Sequence, residues 1–153
     1  MKEEKLMKVS AIKDGTVIDH IPSRNLFKVI HILGLDDIDN PVTFGNNLES
    51  KRLGTKAIIK ISDIFFEEEE INRIALVAPE AKLNIIRDYQ VVEKKPVNVP
   101  DKVMGFVKCI NPKCITNHEE ITTRFDMVSK KEILLKCRYC EKIIDQDHIE
   151  IIK

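Results

Sequence analysis

The chain has 153 residues, 43% of them apolar, and equal numbers of basic and acidic side chains, 25 of each, for a formal net charge of zero. That length suits one domain or two small ones, and the neutral balance argues against a general nucleic-acid binder, which carries a net basic footprint. No stretch approaches the roughly 20 apolar residues of a membrane span. The opening Met1-Lys2-Glu3-Glu4 has no apolar signal core. A cytoplasmic chain without membrane contact is therefore expected, and in that compartment paired cysteines point to metal more than to disulfides.

Residues 9–13 are strand-like. Ser23 is placed to cap a helix running to about residue 33, with Gly34 as its stop signal. Leu26, Ile30 and Leu33 recur at helical spacing and give that helix an apolar stripe. Residues 42–48 and 57–64 are the second and third strands, with Asn46, Asn47 and Gly54 in a hairpin-type connection. Residues 67–77 form a second helix. Its first turn holds four glutamates, where negative charge suits the helix dipole, and Pro79 ends it. Residues 82–92 make a fourth strand. The order β-α-β-β-α-β predicts an α+β, ferredoxin-like domain with two helices on one face of an antiparallel sheet and the other face open.

Residues 94–102 contain Pro96 and Pro100 and no apolar periodicity, which marks a linker. The expected division is 1–95, a linker at 96–102, and a second domain at 103–153. That second segment holds all four cysteines and is short for a self-sufficient core, so it needs a staple. Cys109-Ile110-Asn111-Pro112-Lys113-Cys114 and Cys137-Arg138-Tyr139-Cys140 supply two short pairs on tight turns. Four thiolates placed this way suit one tetrahedral, structural Zn²⁺ with no open coordination position. His118 and His148 are then surface residues. The expected second domain is a small all-β, zinc-ribbon-like unit.

Strand parity locates a possible ligand surface. Lys56, Ile58 and Lys60 share one side of the third strand, opposite Ala57, Ile59 and Ile61. With the apolar set facing the helices, Lys56 and Lys60 project from the open face. Asn84 and Ile86 share a side of the fourth strand, and Lys94 lies at the strand's end, where a flexible ammonium can meet phosphate. Asp19 is a short acceptor suited to ribose hydroxyls, with His20 beside it. Two rival readings stand next to this one: a zinc-ribbon nucleic-acid binder using Lys130, Lys131, Arg138 and Tyr139, and a small enzyme using Asp19 and His20. Salt-dependent DNA or RNA binding would mark the first, and activity of the purified chain alone the second.

The run Gly15-Thr16-Val17-Ile18-Asp19-His20-Ile21-Pro22, within residues 9–22, closely resembles the opening of aspartate carbamoyltransferase regulatory chains. So do Leu76-Val77-Ala78-Pro79-Glu80-Ala81, Asn84 with Ile86 and Tyr89, and the segment from Lys108-Cys109 through Cys140-Glu141-Lys142. The resemblance spans nearly the whole chain. It implies a chain with no catalysis of its own that binds CTP and ATP, and sometimes UTP, in its first domain. It implies nucleotide contacts from Asp19, Lys60, Asn84 and Lys94, and the reading of the strands adds His20 and Lys56 to that candidate site. Backbone near Ile12 and Tyr89 would read the base, and Val9, Ala11, Ile86 and Val91 would line the pocket. It further implies regulatory homodimers that bridge catalytic trimers through the zinc domain. Asn111, Tyr139, Glu141 and Lys142 match positions facing the catalytic chain, while Lys113 and Arg138 depart from the commoner residues there and add positive charge.

Overall fold

The computed structural model describes residues 11–152 and divides into two compact units, one ending at Asn98 and the other starting at Val99. Val9, one of the expected pocket residues, lies outside the described residues.

The first unit contains β1 (Gly15–Pro22), α1 (Leu26–Ile32), β2 (Val42–Ser50), β3 (Gly54–Ser62), α2 (Glu68–Arg73), β4 (Lys82–Arg87) and β5 (Gln90–Pro96). Its antiparallel sheet runs β2-β3-β1-β4-β5. The first four of these strands have the expected split βαβ arrangement. Ile18, Ile59, Ile61 and Leu83 are wholly or almost wholly buried, as are Leu26 and Val29 of α1 and Ile71 of α2. Asn25, at the start of α1, donates its side-chain amide to the Val77 carbonyl at 2.8 Å, so the two helical segments are joined by a buried hydrogen bond.

Four expectations change in detail. Among the described residues the first strand is β1, and the described part of the expected 9–13 strand, residues 11–13, is not in the sheet. Within β1 the register slips between Ile18 and Ile21, with His20 at φ 61°. That bulge turns Ile18 and Ile21, three residues apart, both into the core, which unbroken alternation cannot do. Ser23 caps nothing: a 3-10 turn over Ser23–Asn25 precedes α1, and the Ser23 hydroxyl is buried without a partner. The expected connection at Asn46 and Asn47 is a bulge inside β2, and the hairpin tip lies at residues 51–53. The single fourth strand is a hairpin, β4 and β5, joined through Asp88 and Tyr89 at φ 52° and 66°.

Gly15 occupies a position no other residue fits. Its φ is +143°, and a Cβ there would lie 2.0 Å from the Ile61 carbonyl oxygen. The absence of a side chain lets β1 sit between β3 and β4 at this level.

The second unit has a four-stranded sheet, β10 (Ile143–Ile144), β9 (Leu134–Cys137), β8 (Arg124–Ser129) and β6 (Lys102–Met104). A separate pair joins β7 (Val107–Lys108) to β11 (Glu150–Ile151). Its small core is Val103, Val107, Phe125, Ile133, Leu135, Ile144 and Ile149. No helix among the described residues is long and apolar enough to cross a membrane.

Candidate functional site

The metal centre is built from two turns. In the first, the Cys114 amide donates to the Asn111 carbonyl at 3.0 Å, and the Asn117 side chain donates to the carbonyls of Cys109 and Asn111 at 2.9 and 2.8 Å. In the second, the Glu141 amide donates to the Cys137 carbonyl, and the Cys137 amide to the Lys142 carbonyl, each at 2.9 Å. Glu141 takes the left-handed conformation, φ 65°, that closes this turn. The result brings the sulfurs of Cys109, Cys114, Cys137 and Cys140 within 4.8 Å of one another.

The Cys109 and Cys140 sulfurs lie 3.6 Å apart and those of Cys114 and Cys137 3.8 Å apart. A tetrahedron with metal–sulfur bonds of about 2.3 Å has edges of about 3.8 Å, so the donor set fits a tetrathiolate ion. Burial pushes the Cys109 and Cys137 thiols up. Burial also opposes ionisation of Cys140, but hydrogen bonds from the Asn111 side chain, the Lys142 backbone and the neighbouring thiols bring it down to about 7. His118 and His148 stand outside the cluster. The His118 ring nitrogen meets the Pro112 carbonyl at 2.8 Å, and His148 meets the Asp145 carboxylate at 2.6 Å.

Around this centre, Lys113, Tyr139, Glu141 and Lys142 are exposed and Asn111 is half-buried. Arg138 is also exposed, yet its guanidinium holds the Asp126 carboxylate at 2.8 Å. That ion pair keeps the Asp126 carboxyl below its usual range and offsets the extra positive charge that the sequence places at this edge.

In the first unit, pairing aligns the sequence-derived residues in rows across the face away from the helices. Lys60 of β3 and Asn84 of β4 both stand opposite Val17 of β1, and Lys94 of β5 stands opposite Asn84. Directly paired residues share a face, so Lys60, Val17, Asn84 and Lys94 form one row. Lys94 thus lies within β5, the second strand of the β4–β5 hairpin. On one side of this row, Gly15 stands opposite Ile86, and Ile86 opposite Val91, giving an apolar level. On the other side lies Asp19. Burial on this face is partial for Lys56, Lys60 and Asn84, while Lys94 and Val91 are exposed. Desolvation holds the Lys60 ammonium below the usual lysine pKa.

Asp19 is already engaged. Its carboxylate takes the Lys56 ammonium at 3.0 Å and the His20 backbone amide at 2.6 Å. The His20 ring nitrogen is 4.0 Å from the carboxylate, too far for a hydrogen bond, and the other ring nitrogen is buried without a partner. The geometry is not that of an acid–base couple. Ile12 is half-buried, and its side chain lies close to the Gly15 backbone. Ala11 is exposed. Tyr89 is 66% exposed, and its amide donates to the Lys13 carbonyl at 2.9 Å. The Asp88 amide donates to the Asp14 carboxylate, so the β4–β5 turn is tied to the segment before β1. The sequence reading leaves out Lys82, although alternation from Asn84 puts it on the same side; the register places it opposite Asp19.

Two family models match consecutive parts of the chain: the allosteric domain of the aspartate carbamoyltransferase regulatory chain over residues 7–98, and its metal binding domain over residues 101–150. The chain belongs to the aspartate carbamoyltransferase regulatory-chain family. It is 56% identical over 146 residues to the regulatory chain of Phocaeicola vulgatus, covering 95% of this chain and 94% of that one. To that of Bacteroides fragilis it is 56% identical over 153 residues, covering 99% and 100%. The archaeal regulatory chain of Pyrococcus abyssi is 52% identical over 145 residues, covering 94% and 95%. The family is a regulatory and not a catalytic one, with an allosteric and a metal-binding domain. That assignment agrees with the resemblance carried by the 15–22 run and the cysteine pairs.

Proposed function

We propose that this chain senses CTP and ATP, and UTP as a further ligand, for an aspartate carbamoyltransferase, and so regulates the first committed step of pyrimidine biosynthesis. The observation that carries the nucleotide reading is the row Lys60–Val17–Asn84–Lys94 on one open sheet face. Cations flank an amide there, beside an apolar level at Ile86 and Val91 where a base can rest. The parent reaction joins carbamoyl phosphate and L-aspartate to give N-carbamoyl-L-aspartate and phosphate on the catalytic chain. The regulatory chain acts by binding its nucleotide unequally in the low- and high-activity states of the assembly. A coupling free energy of about 1–3 kcal/mol is typical of such control.

The division of labour we propose is sensing by 1–95, a linker at 96–102 and docking onto catalytic trimers by 103–153. Cys109, Cys114, Cys137 and Cys140 would hold one structural Zn²⁺, whose bonds fix the two turns and thereby present Asn111, Lys113, Arg138, Tyr139, Glu141 and Lys142 to the catalytic chain. A full set of thiolates leaves no position for substrate. Four reduced cysteines suit the cytoplasm. A regulatory homodimer is supported by the edge strand β2, where Phe44 meets Phe27 edge to face at 6.0 Å while both rings stay largely exposed. The test is co-purification with a catalytic chain followed by aspartate saturation curves with and without CTP and ATP. Curves that do not move with either nucleotide would refute the sensing role, and failure to co-purify would refute the docking role.

A further inference from the structure

The chain leaves the first unit along β5, and the sheet alone holds that exit weakly. β5 is an edge strand paired only with β4, and its last residue, Pro96, stands opposite Lys82 with no amide to donate. A strand end held from one side frays, because few contacts have to break for it to open. The next two residues are held from the helical side instead. Lys95 stands opposite the core residue Leu83, so alternation puts Val97 on the side facing the helices, and Val97 is only 8% exposed. The following backbone amide, that of Asn98, donates to the side-chain oxygen of Asn72 at 3.0 Å. Asn72 lies in α2, whose start is fixed by the reciprocal capping of Glu67 and Glu70 and whose Ile71 is buried. The turn that follows, Ile74–Leu76, is wholly buried, and the Val77 carbonyl takes the Asn25 side-chain amide. The acceptor for Asn98 therefore stands on an element anchored at both ends.

We infer that Asn72 and Val97 form a latch that fixes where the chain leaves the first unit, so that the free connection begins at Val99. The latch matters because of what precedes it. Lys94, in the row proposed to hold nucleotide, lies four residues before Asn98, about 13 Å along an extended chain. With residues 97 and 98 held on α2, a displacement of β5 at Lys94 has to appear in α2 or at Val99. With them released, loose chain takes up the same displacement and little of it leaves the unit. Asn72 is then a positioning residue. It sits on the helical side of the sheet and touches no nucleotide, yet it governs how much of the nucleotide effect reaches the second unit. The inference rests on the nucleotide reading above and deepens it by naming a residue through which that site is heard.

The experiment compares the unaltered full-length chain with Asn72→Ala, Asn72→Asp and Val97→Ala, each alone and reconstituted with the catalytic chain. Asn72→Asp keeps an oxygen acceptor for the Asn98 amide. Hydrogen exchange of that amide, followed by NMR, should be about fivefold faster in Asn72→Ala, the size of one exposed hydrogen bond, and near the unaltered rate in Asn72→Asp. CTP affinity, read by calorimetry, should stay within about twofold in every variant. The shifts of half-saturating aspartate caused by CTP and ATP should fall by about half or more in Asn72→Ala and Val97→Ala, and be largely kept in Asn72→Asp. Unchanged Asn98 exchange in Asn72→Ala overturns the latch. Faster exchange with full nucleotide shifts overturns its role in transmission. A parallel loss of CTP affinity overturns that role too, since Asn72 then supports the binding site itself. Aspartate curves that fail to move with nucleotide in the unaltered assembly overturn the sensing reading, and this inference with it.

Discussion

Lys60 and Lys94 flank the same row but in different surroundings, and that difference sets how much each should matter to a nucleotide. Lys94 is exposed on the edge strand β5, whereas Lys60 is half-buried on β3 with its ammonium already destabilised by desolvation. An exposed charge contact contributes up to about 1 kcal/mol. A contact made by a partly desolvated ammonium falls in the range of charged hydrogen bonds, about 1.5–3 kcal/mol. With 1.4 kcal/mol per decade, Lys94→Ala should weaken CTP and ATP together by roughly fivefold, and Lys60→Ala by about 10- to 100-fold. Lys60→Ala should in addition change the preference between the two bases. The same residue gives a pH signature. A bound anion or carbonyl stabilises the ammonium, so binding raises the depressed Lys60 pKa and takes up protons as pH approaches its free value. Affinity should therefore fall as pH rises through the free-state Lys60 pKa, which lies below the ordinary 10.5. Titration calorimetry in two buffers of different ionisation enthalpy reads both the affinity and the proton count. Unchanged affinity in both variants, or a larger loss from Lys94→Ala than from Lys60→Ala, would refute the reasoning from burial.

Three further outcomes follow from the same structure. Metal removal with a thiol-reactive mercurial, or Cys109→Ala, should unfold only the unit after residue 98, because metal binding and folding are one equilibrium in such small domains. CTP affinity should survive while co-elution with the catalytic chain is lost, and parallel loss of both would show a single cooperative unit. Phe44→Asp should shift the chain from dimer to monomer in sedimentation at tens of micromolar (roughly where weak dimers still form), with nucleotide affinity retained; a persistent dimer would place the contact elsewhere. Gly15→Ala should destabilise the first unit by about 2–4 kcal/mol, since the added methyl meets the Ile61 carbonyl at a positive φ; denaturant unfolding with a loss under 1 kcal/mol would contradict the close approach.

The metal centre was legible in the sequence because its information is local. Two short cysteine pairs fix two turns, and a tetrahedral ion dictates how the turns must meet. That Lys60 and Asn84 share the open face was legible for a similar reason, since alternation along a strand is a property of the strand alone. The β-α-β-β-α-β order and the family resemblance also came from the chain itself. What the sequence did not determine was pairing. Alternation says which residues share a side, but which residue of the next strand stands beside them depends on register, a contact between residues far apart in the chain. Alternation alone puts Lys82 on the side of Asn84, but that it faces Asp19 across β1 and β4 is known only from the register. The split of residues 82–92 into β4 and β5 is not announced either, because the Asp88–Tyr89 turn lacks the glycine that usually marks a two-residue hairpin. Asp19 read as a free acceptor, but the fold gives its carboxylate to Lys56. The bulge at His20, which sends both Ile18 and Ile21 inward, is likewise a feature of the pairing with β3, at a residue type that tolerates the left-handed conformation better than most.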